Sequence, residues 1–120
     1  MRFPVEVVLK GQDVAVTESL VIPHGEPATW DDEAVRAALV EILRAIDRVQ
    51  NPTAPVDRPV VLHGFSWIVE PVADQVIIAI EIPMGAAVAG PFSMSQDDLD
   101  ARISRVLRAE RQAILPQTVH

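Results

Sequence analysis

The chain has 120 residues, 49% hydrophobic and 22% charged, with ten Lys and Arg against seventeen Asp and Glu and a net charge of −7. That length holds one hydrophobic core, and the acidic balance repels the phosphate backbones on which non-specific nucleic-acid binding depends, so nucleic acid is not an expected partner. The absence of Cys excludes disulfides and thiolate metal sites, and with no apolar run near the roughly 20 residues of a membrane span and no signal-like leader in Met1 to Glu6, a soluble cytoplasmic protein is expected.

Residues 3–10 alternate, with Phe3, Val5, Val7 and Leu9 on one side and Pro4, Glu6, Val8 and Lys10 on the other, which predicts a strand. Gly11-Gln12-Asp13 supplies a turn into a second strand from Val14 to Ile22, closed by Pro23. A helix is expected from Thr29 onward, with Thr29 as N-cap and Asp32 as the capping-box acid. Val35, Leu39, Ile42, Ile46 and Val49 recur at helical spacing and form its apolar stripe. The stretch from Gln50 to Pro59 carries three prolines and reads as a stiff connector.

A second set follows. Val60 to Val69 reads as a strand, and Val76-Ile77-Ile78-Ala79-Ile80 as another, apolar on both faces and so expected to be central. Met84 to Phe92 reads as a loop rich in small residues. Ser93 and Gln96 repeat the capping-box pattern ahead of a last helix that buries Leu99, Ile103, Val106 and Leu107. Arg102, Arg105, Arg108 and Arg111 step by three along that helix on a face expected to meet solvent or an acidic segment of another copy, while Glu110 falls in its apolar arc without an evident partner.

The two sets echo one another: Val7-Val8-Leu9-Lys10-Gly11 returns as Val60-Val61-Leu62-His63-Gly64, and Ile22-Pro23-His24-Gly25 as Ile82-Pro83-Met84-Gly85. This predicts a single α+β domain over residues 1–120, built from two pseudo-repeats at about 3–50 and 58–115. The order is ββαββα, a four-stranded antiparallel sheet of order 1-2-4-3 with two helices on one face. That arrangement resembles a circularly permuted ferredoxin-like sandwich.

Two helices on one face leave the other bare, and the apolar content predicts that a second subunit covers it, in a dimer or higher homo-oligomer. Small residues at Gly64 and Ser66 suggest that helices approach there, which would put His63, Phe65 and Trp67 on the open face. His63 is then the candidate catalytic residue, a general base or ligand-orienting group among aromatics. Phe65 and Trp67, with Met84, Gly85 and Gly90 from the small-residue loop, are the candidate binding residues for a small apolar ligand. Each has a plainer reading: cross-strand packing for the aromatics, a tucked-in loop for the glycines.

No metal site or cofactor is expected, since His24, His63 and His120 form no close pair and the phosphate-loop lysine and dinucleotide glycine spacing are missing. No Gly-x-Ser-x-Gly elbow accompanies Ser66, Ser93 or Ser95. Three functions remain. One is a homo-oligomeric binding or assembly module using its open sheet face. Another is a small cofactor-independent enzyme of lyase, isomerase or oxygenase type with a pocket near His63 and Trp67. The third is a protein–protein adaptor whose open edge strand, Arg2 to Lys10 or Val60 to Val69, accepts a peptide strand.

Overall fold

The computed structural model describes residues 1–55 and 59–114, so the middle of the connector and the tail from residue 115, His120 included, lie outside the described residues. The fold is α+β. Strands β1 (Arg2–Leu9) and β2 (Val16–Val21) form a hairpin, followed by helix α1 (Asp32–Gln50). Strands β3 (Ser66–Val72), β4 (Gln75–Ile82) and β5 (Gly85–Phe92) form a meander, followed by helix α2 (Gln96–Ile114).

All five strands join one antiparallel sheet in the order β2-β1-β5-β4-β3. This corrects the expected four strands, their 1-2-4-3 order and the ferredoxin-like duplication: the first half is ββα and the second βββα. The cause is residues 85–92. Their Ala, Gly and Pro content has low strand propensity, yet Pro83 and Met84 make a tight turn that sends the chain back along β4. Once there, its small side chains fit between two β-rich neighbours. The echo Ile22-Pro23 and Ile82-Pro83 therefore leads to a helix in one half and to a central strand in the other.

Helix α1 lies over β2, β1 and β5, and α2 over β3, both on the same face of the sheet. The core between the layers takes Phe3, Val5 and Val7 from β1, Val76, Ile78 and Ile80 from β4, and Ala87, Ala89 and Phe92 from β5. Against them stand Val35, Leu39, Ile42 and Ile46 of α1 and Leu99, Ile103 and Val106 of α2, on the stripes read from helical spacing. An aromatic cluster closes one end. The ring of Phe3 lies 4.8 Å from that of Phe92 and 5.8 Å from that of Trp30, and Trp30 and Phe92 are 5.4 Å apart. The indole Nε1 of Trp30 donates to the Gly25 carbonyl at 2.8 Å, so its one polar group is satisfied.

The helix starts differ from the expected ones by about two residues. Asp31, not Thr29, caps α1 by accepting from the Ala34 N–H, and Thr29 sits in a short 3-10 turn where its hydroxyl donates to the Glu26 carbonyl. Ser95, not Ser93, accepts from the Asp98 N–H at the start of α2. Charge ties the helices together. Arg105 donates two bonds to Asp32, Arg102 approaches the same carboxylate at 3.7 Å, and Arg36 pairs with Glu110. Two of the four arginines, Arg102 and Arg105, thus meet an acidic residue of their own chain, and Glu110 has its partner in Arg36.

The Arg105 hydrogen bonds, opposed by slight burial and aided by the nearby Arg105 and Arg102 charges, hold the Asp32 carboxyl below the ordinary carboxylate range. A depressed acid contributes stability that is present above its unfolded value and lost as pH falls through the folded one. Asp32→Asn should lower the melting temperature near neutral pH by at most a few degrees, as expected for an exposed ion pair. In thermal melts the gap to the parent protein should close as pH drops below about 4; a gap that persists at lower pH would show that the ion pair is not its cause.

Candidate functional site

The sheet face away from the helices is the candidate site. Its makeup follows from the ladder registers. In one row Glu6 of β1, Val88 of β5, Ala79 of β4 and Ile68 of β3 stand side by side; in the next, Val8, Ala86, Glu81 and Ser66. Ile68 is 51% exposed and Val8 and Val88 are each 41% exposed, whereas Ile77 and Ala79 are half-buried. Large side chains therefore rise on either side of the small Ala79 and Ala86, leaving a shallow trough of about 260 Å³ lined by Ser66, Trp67, Ile68, Ala79, Ile80, Glu81, Ala86, Ala87 and Val88. Glu81 belongs to that lining, and Glu6 and Glu70 lie on the same face of the sheet.

Strand β4 is interior, as its apolar run predicts, but only one of its faces is covered. Ile78 and Ile80 are buried under the helices, while Ile77 and Ala79 belong to the open side.

The expected His63-Phe65-Trp67 row does not form. Residues 60–65 precede β3, so strand alternation does not apply to His63, which is exposed. Within β3 the direction is set by pairing: Val69 opposes Ile78 and Trp67 opposes Ile80, which puts Trp67 on the helix side. There it packs against the core and borders a groove with Ser104, Leu107, Arg108 and Arg111 of α2. Ser66 and Ile68 take the open face instead. The inference from small residues failed because Gly64 lies outside the strand, with φ +80° in a bend.

Of the other candidate binding residues, Phe65 lies just before β3, while Met84, Gly85 and Gly90 fall toward the two ends of β5. Phe65 lines a depression with Gly64, Ser66, Glu81, Ile82 and Pro83, and Gly85 lines a neighbouring one with Val8, Leu9, Lys10 and Ala86 across Ile82 and Pro83. Met84 is exposed at the turn between β4 and β5, and its carbonyl accepts from the Lys10 N–H at 2.8 Å. Gly90 lies near the far end of β5, at an irregularity where Val76 faces Phe92 and Ile78 faces Ala89. Among the described residues, no group of three or more His, Cys, Asp or Glu is placed to hold a metal ion.

Both glycines have structural reasons to be glycine. A Cβ on Gly85 would stand 2.5 Å from the Val8 carbonyl oxygen, a backbone atom that cannot step aside. Gly90 has φ +120° and would press against the Val76 carbonyl and the Phe92 ring. Residues that sequence reading did not single out, Ile68, Val88 and Val8, carry the apolar surface; the register that exposes them becomes readable only once residues 85–92 are known to be a strand.

No family model matches the chain, and neither a curated protein nor a solved structure matches it. Gly85→Ala should destabilise the fold by roughly 1–3 kcal/mol, the usual cost of forcing atoms into a filled space, as read by denaturant unfolding. A loss near zero would mean that β5 can move away from β1 without penalty.

Proposed function

We propose that this protein is a homo-oligomeric assembly module whose open sheet face packs against the same face of a second copy. The observation that supports this most is the exposed apolar row Val88–Ala79–Ile68 beside Val8 and Ala86. Stacked sheets sit about 10 Å apart with side chains interdigitating, and this face offers both raised side chains and a trough of alanines to receive them. One surface supplies both shapes, which suits a two-fold contact between identical patches.

The surrounding carboxylates set the condition on association. Two chains of charge −7 repel, Glu6 and Glu70 remain in water at the rim of such a contact, and Glu81 in the trough brings a further carboxylate toward it. Added salt screens exposed charges over about 10 Å or less at 0.1 M, so association strengthens as salt rises.

Sedimentation or light scattering at micromolar concentration tests the reading. The parent chain is expected to have a mass that is a multiple of 13.1 kDa. Ile68→Asp together with Val88→Asp should lower that mass while leaving the fold intact, because both side chains are largely solvent-facing in the single chain. An unchanged mass in the double variant would overturn the reading, and copurification of a small apolar molecule lost in that variant would reassign the face to ligand binding.

A further inference from the structure

The two margins of the sheet are treated differently. At the β3 margin, the Val69 carbonyl points outward and accepts from Gln96 Nε2 at 2.9 Å. Two residues on, the next outward position is Pro71, which has no N–H to offer. That margin is closed to another strand at its centre.

The β2 margin has no such protection. Met1 and Ile22 exchange N–H to carbonyl bonds, both 3.0 Å, which fixes the bonded pairs of the hairpin; they recur at every second residue, at Leu20, Glu18 and Val16. The N–H and carbonyl groups of Thr17, Ser19 and Val21 therefore point away from β1. All three residues are exposed, and among the described residues no hydrogen bond from outside the sheet reaches their backbone. The strand has no Lys, Pro or bulge, the devices that usually blunt an exposed edge, and Val14, Val16 and Val21 are exposed around it.

We propose that β2 pairs antiparallel with β2 of a second copy about a two-fold axis through Ser19, joining two sheets edge to edge. The sequence of the strand selects the occupant and the register. With Ser19 opposite Ser19, Thr17 faces Val21 of the second copy and Val21 faces Thr17, so every outward group finds a partner. Glu18 then faces Leu20. A shift by two residues one way sets Glu18 directly against Glu18, which like charges disfavour. The same shift the other way sets Thr17 opposite Pro23, which has no N–H. One-residue shifts turn outward groups against inward ones. Only the Ser19-centred register pairs all three outward residues of β2 with one another.

This pairing does not rest on the open-face reading, and its test is separable from it. The chain has no Cys, so Ser19→Cys introduces one thiol, on the axis and about 5.5 Å in Cα–Cα distance from its counterpart, within disulfide reach. Under mild oxidation at micromolar protein, Ser19→Cys should form a disulfide-linked dimer at least about tenfold faster than Ala101→Cys, at an exposed position of α2 away from both the β2 edge and the open face, because pairing raises the effective thiol concentration. It should do so equally in the Ile68→Asp, Val88→Asp background. The register is read by charge: Thr17→Lys with Val21→Lys sets lysine against lysine at both ends of the seam and should weaken association, whereas Thr17→Lys with Val21→Glu sets opposite charges together and should restore it. Cross-linking no faster than Ala101→Cys, or equal association of the two charge variants, would overturn the proposal.

Discussion

The architecture hangs on the ladder between β1 and β5. Among the described residues it is the one strand ladder that joins the N-terminal hairpin to the C-terminal meander, running from Val5 opposite Ala89 to Leu9 opposite Gly85. The strand that makes it is poor in β-formers, so its place comes from fit rather than propensity. Glycine at position 85 lets the backbone come within contact of Val8, and alanines at 87 and 89 leave room for α1 to approach. Just past the other end of the seam, Phe3 and Phe92 meet Trp30, so the strand entering the seam, the strand leaving it and the segment before α1 share one cluster. Aromatic pairs of this kind are worth about 0.5–1.5 kcal/mol each beyond the area they bury.

Much of this was legible in the residues. Alternation over Phe3 to Leu9 marks β1 and its buried side, and the 3.6-residue spacing of Val35, Leu39, Ile42 and Ile46 marks the buried face of α1. The helix starts were readable to within a couple of residues, since Asp31 and Ser95 compete with equally suitable Thr29 and Ser93 nearby. Residues 85–92 were not readable. A strand of Gly, Ala, Val and Pro carries no periodic hydrophobic signal, and the echo between the halves encourages treating it as an insertion. One missed strand then alters the order of the whole sheet.

The candidate site suffered from the same omission. Which side of β3 faces the helices is decided by its pairing with β4, where Ile78 and Ile80 must be covered, and not by the sizes of Gly64 and Ser66. With that settled, Trp67 becomes a flank of the core, and the face left open is one of branched aliphatics and alanines among carboxylates.

The bond from Gln96 to the Val69 carbonyl has a meaning beyond local satisfaction. A sheet with two adhesive margins is a bifunctional monomer and can extend in its plane without limit, as fibrils do. Sealing one margin leaves at most one adhesive edge, so that lateral addition through β2, if it takes place, would end after the first step. Because the seal is the opening residue of α2, closing the β3 margin depends on that helix being docked.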